Sequence, residues 1–175
     1  VLGNSGAPTN NHDYLLRLAQ KFENAKFHIP FAYNGPPSYL EALSNLCKDL
    51  GILEKVHFQT EILTLDAYYD LFSRAKVFLA AHNRQQALGT MQIAYSCDCK
   101  VYLRKTITLP ENKTVINPSY LTLQMLGYAD IRDITSLEHS KGQISLEFEK
   151  NNVTHELGIR TPEHSERVFN ILKRA

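Results

Sequence analysis

Apolar and polar positions alternate between two periods along the first hundred residues, and that alternation predicts the elements. Val1-Leu2 reads as the end of a core strand, and Gly3-Asn4-Ser5-Gly6 as a turn. Asn10 or Asn11 is placed to cap a helix carrying Tyr14, Leu15, Leu18 and Phe22 at helical spacing. A second strand runs through Lys26-Phe27-His28-Ile29 until Pro30 stops it, and Tyr33-Asn34-Gly35-Pro36-Pro37 is a loop. Ser38 and Glu41 have capping-box spacing before a helix with Leu40, Leu43, Leu46, Cys47 and Leu50 on one stripe, closed by Gly51. Val56-His57-Phe58-Gln59-Thr60 is a third strand, and Thr64 caps a helix through Phe72. The run Lys76-Val77-Phe78-Leu79-Ala80-Ala81 reads as a buried parallel strand, followed by a polar turn at 82–86, a helix at 87–96 and a strand at 100–103.

Five strand–helix alternations in about a hundred residues predict a doubly wound, Rossmann-like parallel α/β sheet, because each parallel crossover needs a helix. From residue 105 the pattern loosens. Residues 106–117 read as a polar loop, and Pro118 starts a helix reaching Leu126 and Gly127. Gln143 to Glu149 alternates like a strand, Asn151-Asn152 suits its turn with 153–157 returning, and Thr161-Pro162-Glu163 starts a terminal helix with Val168, Phe169 and Leu172 on one face. The whole reads as one domain over 1–175, with 128–175 as a C-terminal extension. Because Val1 opens on the tail of a strand, we expect a piece of a larger two-domain protein.

Composition narrows the function classes. A formal charge of +1 offers no bulk attraction for nucleic acid. No apolar run approaches the roughly 18 residues a membrane helix needs. Cys47, Cys97 and Cys99 are odd in number and sparse, which argues against a disulfide framework; Cys97-Asp98-Cys99 lacks the second pair a zinc site requires. No cofactor and no metal is implied.

Chemistry is expected where strand order reverses. If the order is 3-2-1-4-5, the turns at Gly3–Gly6 and His82–Gln86 meet at the carboxyl ends of strands 1 and 4. Gly3 and Gly6 permit close backbone approach, and Asn4 and Ser5 add donors. Arg84 brings a permanent forked cation, and Gly89 and Thr90 stand in the first turn of a helix whose free N–H groups favour anions. The pair points to a phosphate-bearing ligand; each turn taken singly also fits an ordinary polar loop. Tyr33 could cover a base or sugar, or simply pack at the surface. His12 and His82 flank the crevice as acid–base candidates, although His12 reads better as a capping or packing residue and His82 as a plain loop residue.

Gly3-Asn4-Ser5-Gly6, Asn10-Asn11-His12, Pro30 with Tyr33, Asn83-Arg84-Gln85-Gln86 with Gly89-Thr90, and Asn117-Pro118 occur in an order that resembles the C-terminal half of bacterial 4-acetamido-4,6-dideoxygalactose transferases, over roughly residues 1–125. The chain departs from that family in a longer insert between 103 and 117 and in Ala87-Leu88, where the family tends to have Gly-Ile. The resemblance implies a two-Rossmann (GT-B) glycosyltransferase that moves the sugar from a dTDP donor to a lipid-linked precursor of enterobacterial common antigen. It implies donor binding here, the acceptor and general base on a preceding domain, inversion without metal, and residence at the cytoplasmic face of the inner membrane as a peripheral protein. Arg84 would be catalytic. Gly3, Asn4, Ser5, Gly6, Asn10, Asn11, His12, Tyr33, Asn83, Gln85, Gln86, Gly89, Thr90 and Asn117 would bind substrate. The competing expectations are a non-catalytic α/β interaction module and a UDP-sugar epimerase of the same architecture.

Overall fold

The structure, a computed structural model, describes residues 1–128 and 130–139. The strand, turn and helix expected at 143–149, 151–157 and 161–172 lie outside the described residues.

Parallel pairing joins β1 (Phe27–Pro30) to β2 (Val56–Gln59), and joins β3 (Val77–Ala80) to β4 (Lys100–Leu103) and then β7 (Ile131–Asp133). Segment 1–3 stitches the two sets together. Leu2 N–H donates to His28 O and Gly3 N–H to Leu79 O, each at 2.9 Å, while Leu79 N–H returns a bond to Val1 O. The order across the sheet is β2-β1-(1–3)-β3-β4-β7, so the reversal falls between segment 1–3 and β3, as the sequence predicts. β7 carries the sheet into residues that the sequence assigns to an extension.

Helices fill the crossovers. α1 (His12–Ala19) and α2 (Pro37–Asp49) pack on the segment 1–3 and β1 side through Leu15, Leu16, Leu18, Leu43 and Cys47, all buried. α3 (Leu65–Arg74), α4 (Leu88–Ser96) and α5 (Pro118–Met125) enclose a second cluster with β3, β4 and β7, built on Phe72, Phe78, Met91, Val101, Leu103, Leu123 and Ile131. The fully buried Phe72 and Phe78 rings meet edge-on at 5.7 Å. Burial of each such side chain contributes about 1.5–3 kcal/mol. Right-handed crossovers place the two helix sets on opposite faces once strand order reverses.

Three local expectations are corrected. Ser38 does not cap α2: the helix begins at Pro37 behind Pro36, whose ring fixes an extended entry, so Ser38 falls inside the first turn and Glu41 beyond it. Residues 106–117 are not a loop but an antiparallel hairpin of β5 (Thr106–Thr108) and β6 (Thr114–Ile116), with Ile107 paired to Val115 and buried. Asn11 does precede α1, but in the left-handed conformation (φ 53°), and its side chain is spent elsewhere. Thr64 caps α3 as read, accepting from Ala67 N–H, and Asn117, read as the end of the polar stretch, caps α5 by accepting from Ser119 N–H.

Candidate functional site

The two turns meet. Gln86 Nε2 donates to Asn4 Oδ1 at 3.1 Å, across 82 positions of sequence. Gln86 Oε1 accepts from Thr9 Oγ1 and from Arg84 Nε, each at 3.0 Å. Asn11 Nδ2 donates to Ala81 O at 2.6 Å, tying the start of α1 to the end of β3. Arg84 is exposed, and because its Nε is held by Gln86, its two terminal nitrogens are presented together.

Behind the first turn, Asn10 organises the backbone. Its Nδ2 donates to Ser5 O and Ser5 Oγ, and its Oδ1 accepts from Asn4 N–H. Gly3 adopts φ +65°, and a Cβ there would come within 3.0 Å of His12 Nε2. Gly6 is required for a different reason than ligand approach: a Cβ there would stand 2.5 Å from Gly35 Cα, where the two loops touch. Its N–H donates to Tyr33 O at 2.7 Å, and that bond fixes the 31–36 loop. Tyr33 itself extends outward, 67% exposed at the rim.

Asn10, His12 and Asn117 are buried, and Asn10 and Asn117 bond to the backbone of the first and second turns respectively. Ser5 is 6% exposed. His12 packs against Phe31 and Tyr39, with Nδ1 3.3 Å from the Tyr39 hydroxyl. His82 is not a plain loop residue but a fully buried one, with Nε2 3.1 Å from Ser119 Oγ. Burial lowers both imidazoles to about 4, the Arg84 charge adding to the shift at His82. Both rings are therefore neutral at pH 7 and weak proton acceptors there.

The second turn runs into α4. Ala87, its N-cap, sits in the left-handed region (φ 61°) without a side-chain cap. A Cβ on Gly89 would meet nothing within 4 Å, so α4 is open at that position of its first turn. Thr90 Oγ1 lies 3.0 Å from the Tyr68 hydroxyl. Gln85 Nε2 donates to Thr122 Oγ1, and Asn83 Oδ1 accepts from Arg104 Nη1 at 3.4 Å.

Two contributors escape sequence reasoning. Arg104, directly beyond β4, is a second cation at the same edge, its guanidinium 4.6 Å over the Tyr14 ring. Its position after a strand that ends in the crevice was a usable signal. Ser119 is the other. Nothing in its local sequence marks it, because its partners come from the turn at 82–86. Among the described residues, no group of three or more His, Cys, Asp or Glu is gathered as a metal site would need, and no helix is long and apolar enough to cross a membrane.

A Rossmann-like sheet whose reversal point gathers an arginine, polar turns and an open helix N-terminus is the setting in which glycosyltransferases hold activated sugars, and this chain is an enzyme of that class. The family described as 4-alpha-L-fucosyltransferase, glycosyl transferase group 56, matches residues 1–125, and the chain belongs to it. No curated protein and no solved structure matches the chain.

Proposed function

We propose that the crevice between residues 3–6 and 82–90 holds the diphosphate of a dTDP-linked 4-acetamido-4,6-dideoxygalactose, and that the sugar passes with inversion to a lipid-linked glycan. The observation that carries this reading is the Asn4–Gln86 bond, which brings both turns to one place beside Arg84. The family description names fucosyl transfer, and the proposed donor sugar keeps the 6-deoxygalactose skeleton of fucose with an acetamido group at C4.

As the bond to the anomeric carbon breaks, charge grows on the leaving diphosphate. Arg84 neutralises it, with N–H groups of the α4 first turn and the side chains of Asn4 and Thr90 as donors. Arg104 adds positive potential from behind Asn83. No metal is needed in this scheme. Tyr33 covers the sugar or base from the rim.

Transferases of this architecture often use a carboxylate on the corresponding helix to hold ribose hydroxyls. α4 reads Leu-Gly-Thr-Met-Gln-Ile-Ala-Tyr-Ser and carries none. A 2′-deoxyribose presents one hydroxyl fewer, which favours dTDP. Calorimetric titration of dTDP, UDP and GDP tests the assignment: dTDP should bind most tightly, and tighter UDP binding rejects the dTDP donor. Arg84→Ala should cost about 1–3 kcal/mol of transition-state stabilisation; near-normal turnover discards its role. The lipid-linked acceptor implies peripheral membrane contact at the cytoplasmic face.

A further inference from the structure

The turn at 82–86 is held from below by the first turn of α5. Asn117 Nδ2 donates to His82 O at 2.9 Å, and Asn117 Oδ1 accepts from Ser119 N–H. Ser119 Oγ lies 3.0 Å from Gln86 N, 3.1 Å from His82 Nε2, and 3.2 Å from both Arg84 O and Gln86 O. A hydroxyl has one hydrogen and two lone pairs. Gln86 N–H takes one lone pair, His82 Nε2–H takes the other, and the hydroxyl hydrogen goes to the two carbonyls. That arrangement sets the His82 tautomer and saturates Ser119. All three of Asn117, Ser119 and His82 are buried.

The consequence lies on the opposite side of the same peptides. In a trans peptide the C=O and the following N–H point in opposite directions. The carbonyls of His82, Arg84 and Gln86 are drawn toward α5. The N–H groups of Asn83, Gln85 and Ala87 therefore point away from it, and among the described residues none of the three has a hydrogen-bond partner. The Gln86 N–H is drawn to α5 as well, so the Gln85 carbonyl shares the far side with those three N–H groups; with three donors against one acceptor, that side still attracts a diphosphate.

We propose that Ser119, with Asn117, is a positioning residue of the donor site: it pulls carbonyls of the Arg84 turn onto α5, so that the N–H groups of Asn83, Gln85 and Ala87, and the Arg84 guanidinium, face the donor diphosphate. The proposal rests on the donor reading above and adds the device that orients the turn.

The test uses the full chain with dTDP as probe. In amide NMR spectra of the wild type, the Asn83, Gln85 and Ala87 signals should shift on dTDP addition; binding without those shifts overturns the proposal whatever the variants do. By calorimetry, Arg84→Ala alone should weaken dTDP about tenfold, and Ser119→Ala alone by a similar factor; Arg84→Ala added to Ser119→Ala should cost less than about twofold more, since coupled residues are not additive. Ser119→Thr, which keeps the hydroxyl, should recover binding. Leu43→Ala, a buried change in α2, controls for lost stability and should leave the Arg84 penalty intact. Independent, multiplying penalties for Arg84 and Ser119, or normal binding by Ser119→Ala, overturn the inference alone. A wild type that binds neither dTDP, UDP nor GDP removes the donor reading and this proposal with it.

Discussion

At the residue scale, burial decides what each polar side chain can do. His12 and His82 were legible as residues beside the crevice, but not as neutral buried rings, because the groups that enclose them, Phe31 and Tyr39 for one and Ser119 for the other, lie between 19 and 37 positions away. Their titration gives a directional prediction. An exposed histidine titrates at about 6.5, and here both are lowered to about 4. Between those values the unfolded chain binds more protons than the folded one. Stability is therefore full above pH 6.5 and falls as pH drops toward 4, by at most about 3 kcal/mol per ring. Urea unfolding at pH 7 and pH 4.5 should show the loss, and His82→Gln should remove about one proton's worth of slope; a flat profile would contradict the burial. Ala87 makes a second point. An alanine at φ 61° carries left-handed strain of about 1–2 kcal/mol that a glycine avoids. Ala87→Gly should raise stability by roughly 0.5–1 kcal/mol after the glycine's entropy cost, read as a shift in denaturation midpoint; a loss would show that the conformation is not strained.

At the element scale, strands with strong apolar runs and helices with capped starts were readable, since their signals are local. β3 is such a run, and Thr64 caps as its position suggests. The β5–β6 hairpin was not readable. Its strands have three residues each, and its connection at Pro110–Asn112 lacks the two-residue glycine turn that announces a hairpin, reversing instead through Glu111 and Asn112 at φ 70° and 58°. The glycine turn was read in the right place but for an incomplete reason. Gly6 faces Gly35, and the close approach of those two backbones joins the loop after segment 1–3 to the loop after β1. Gly6→Ala should destabilise the fold by about 1–3 kcal/mol through overpacking, measured by thermal or denaturant unfolding. Unchanged stability would mean that the contact between the loops is dispensable.

At the scale of the whole molecule, strand order is what turns two weak motifs into a site. Neither Gly-x-x-Gly nor a lone arginine turn specifies a ligand, yet the order β2-β1-(1–3)-β3 forces them onto one edge. That inference was available from alternation alone because right-handed crossovers leave few topologies to choose among. The internal bracing was not, since it depends on contacts such as Asn4–Gln86 and Asn11–Ala81 that span 82 and 70 positions. A ligand that bridges the crevice must therefore stabilise both halves of the sheet at once. At dTDP concentrations about a hundredfold above its dissociation constant, the fold should gain roughly 2.7 kcal/mol. Hydrogen exchange should show that gain as protection at residues 3–7 and 82–90 together, with the 31–36 loop following through the Gly6–Tyr33 bond. Protection at only one of the two turns would place the ligand outside the reversal point, and the shared edge would then be a property of the fold and not of the chemistry.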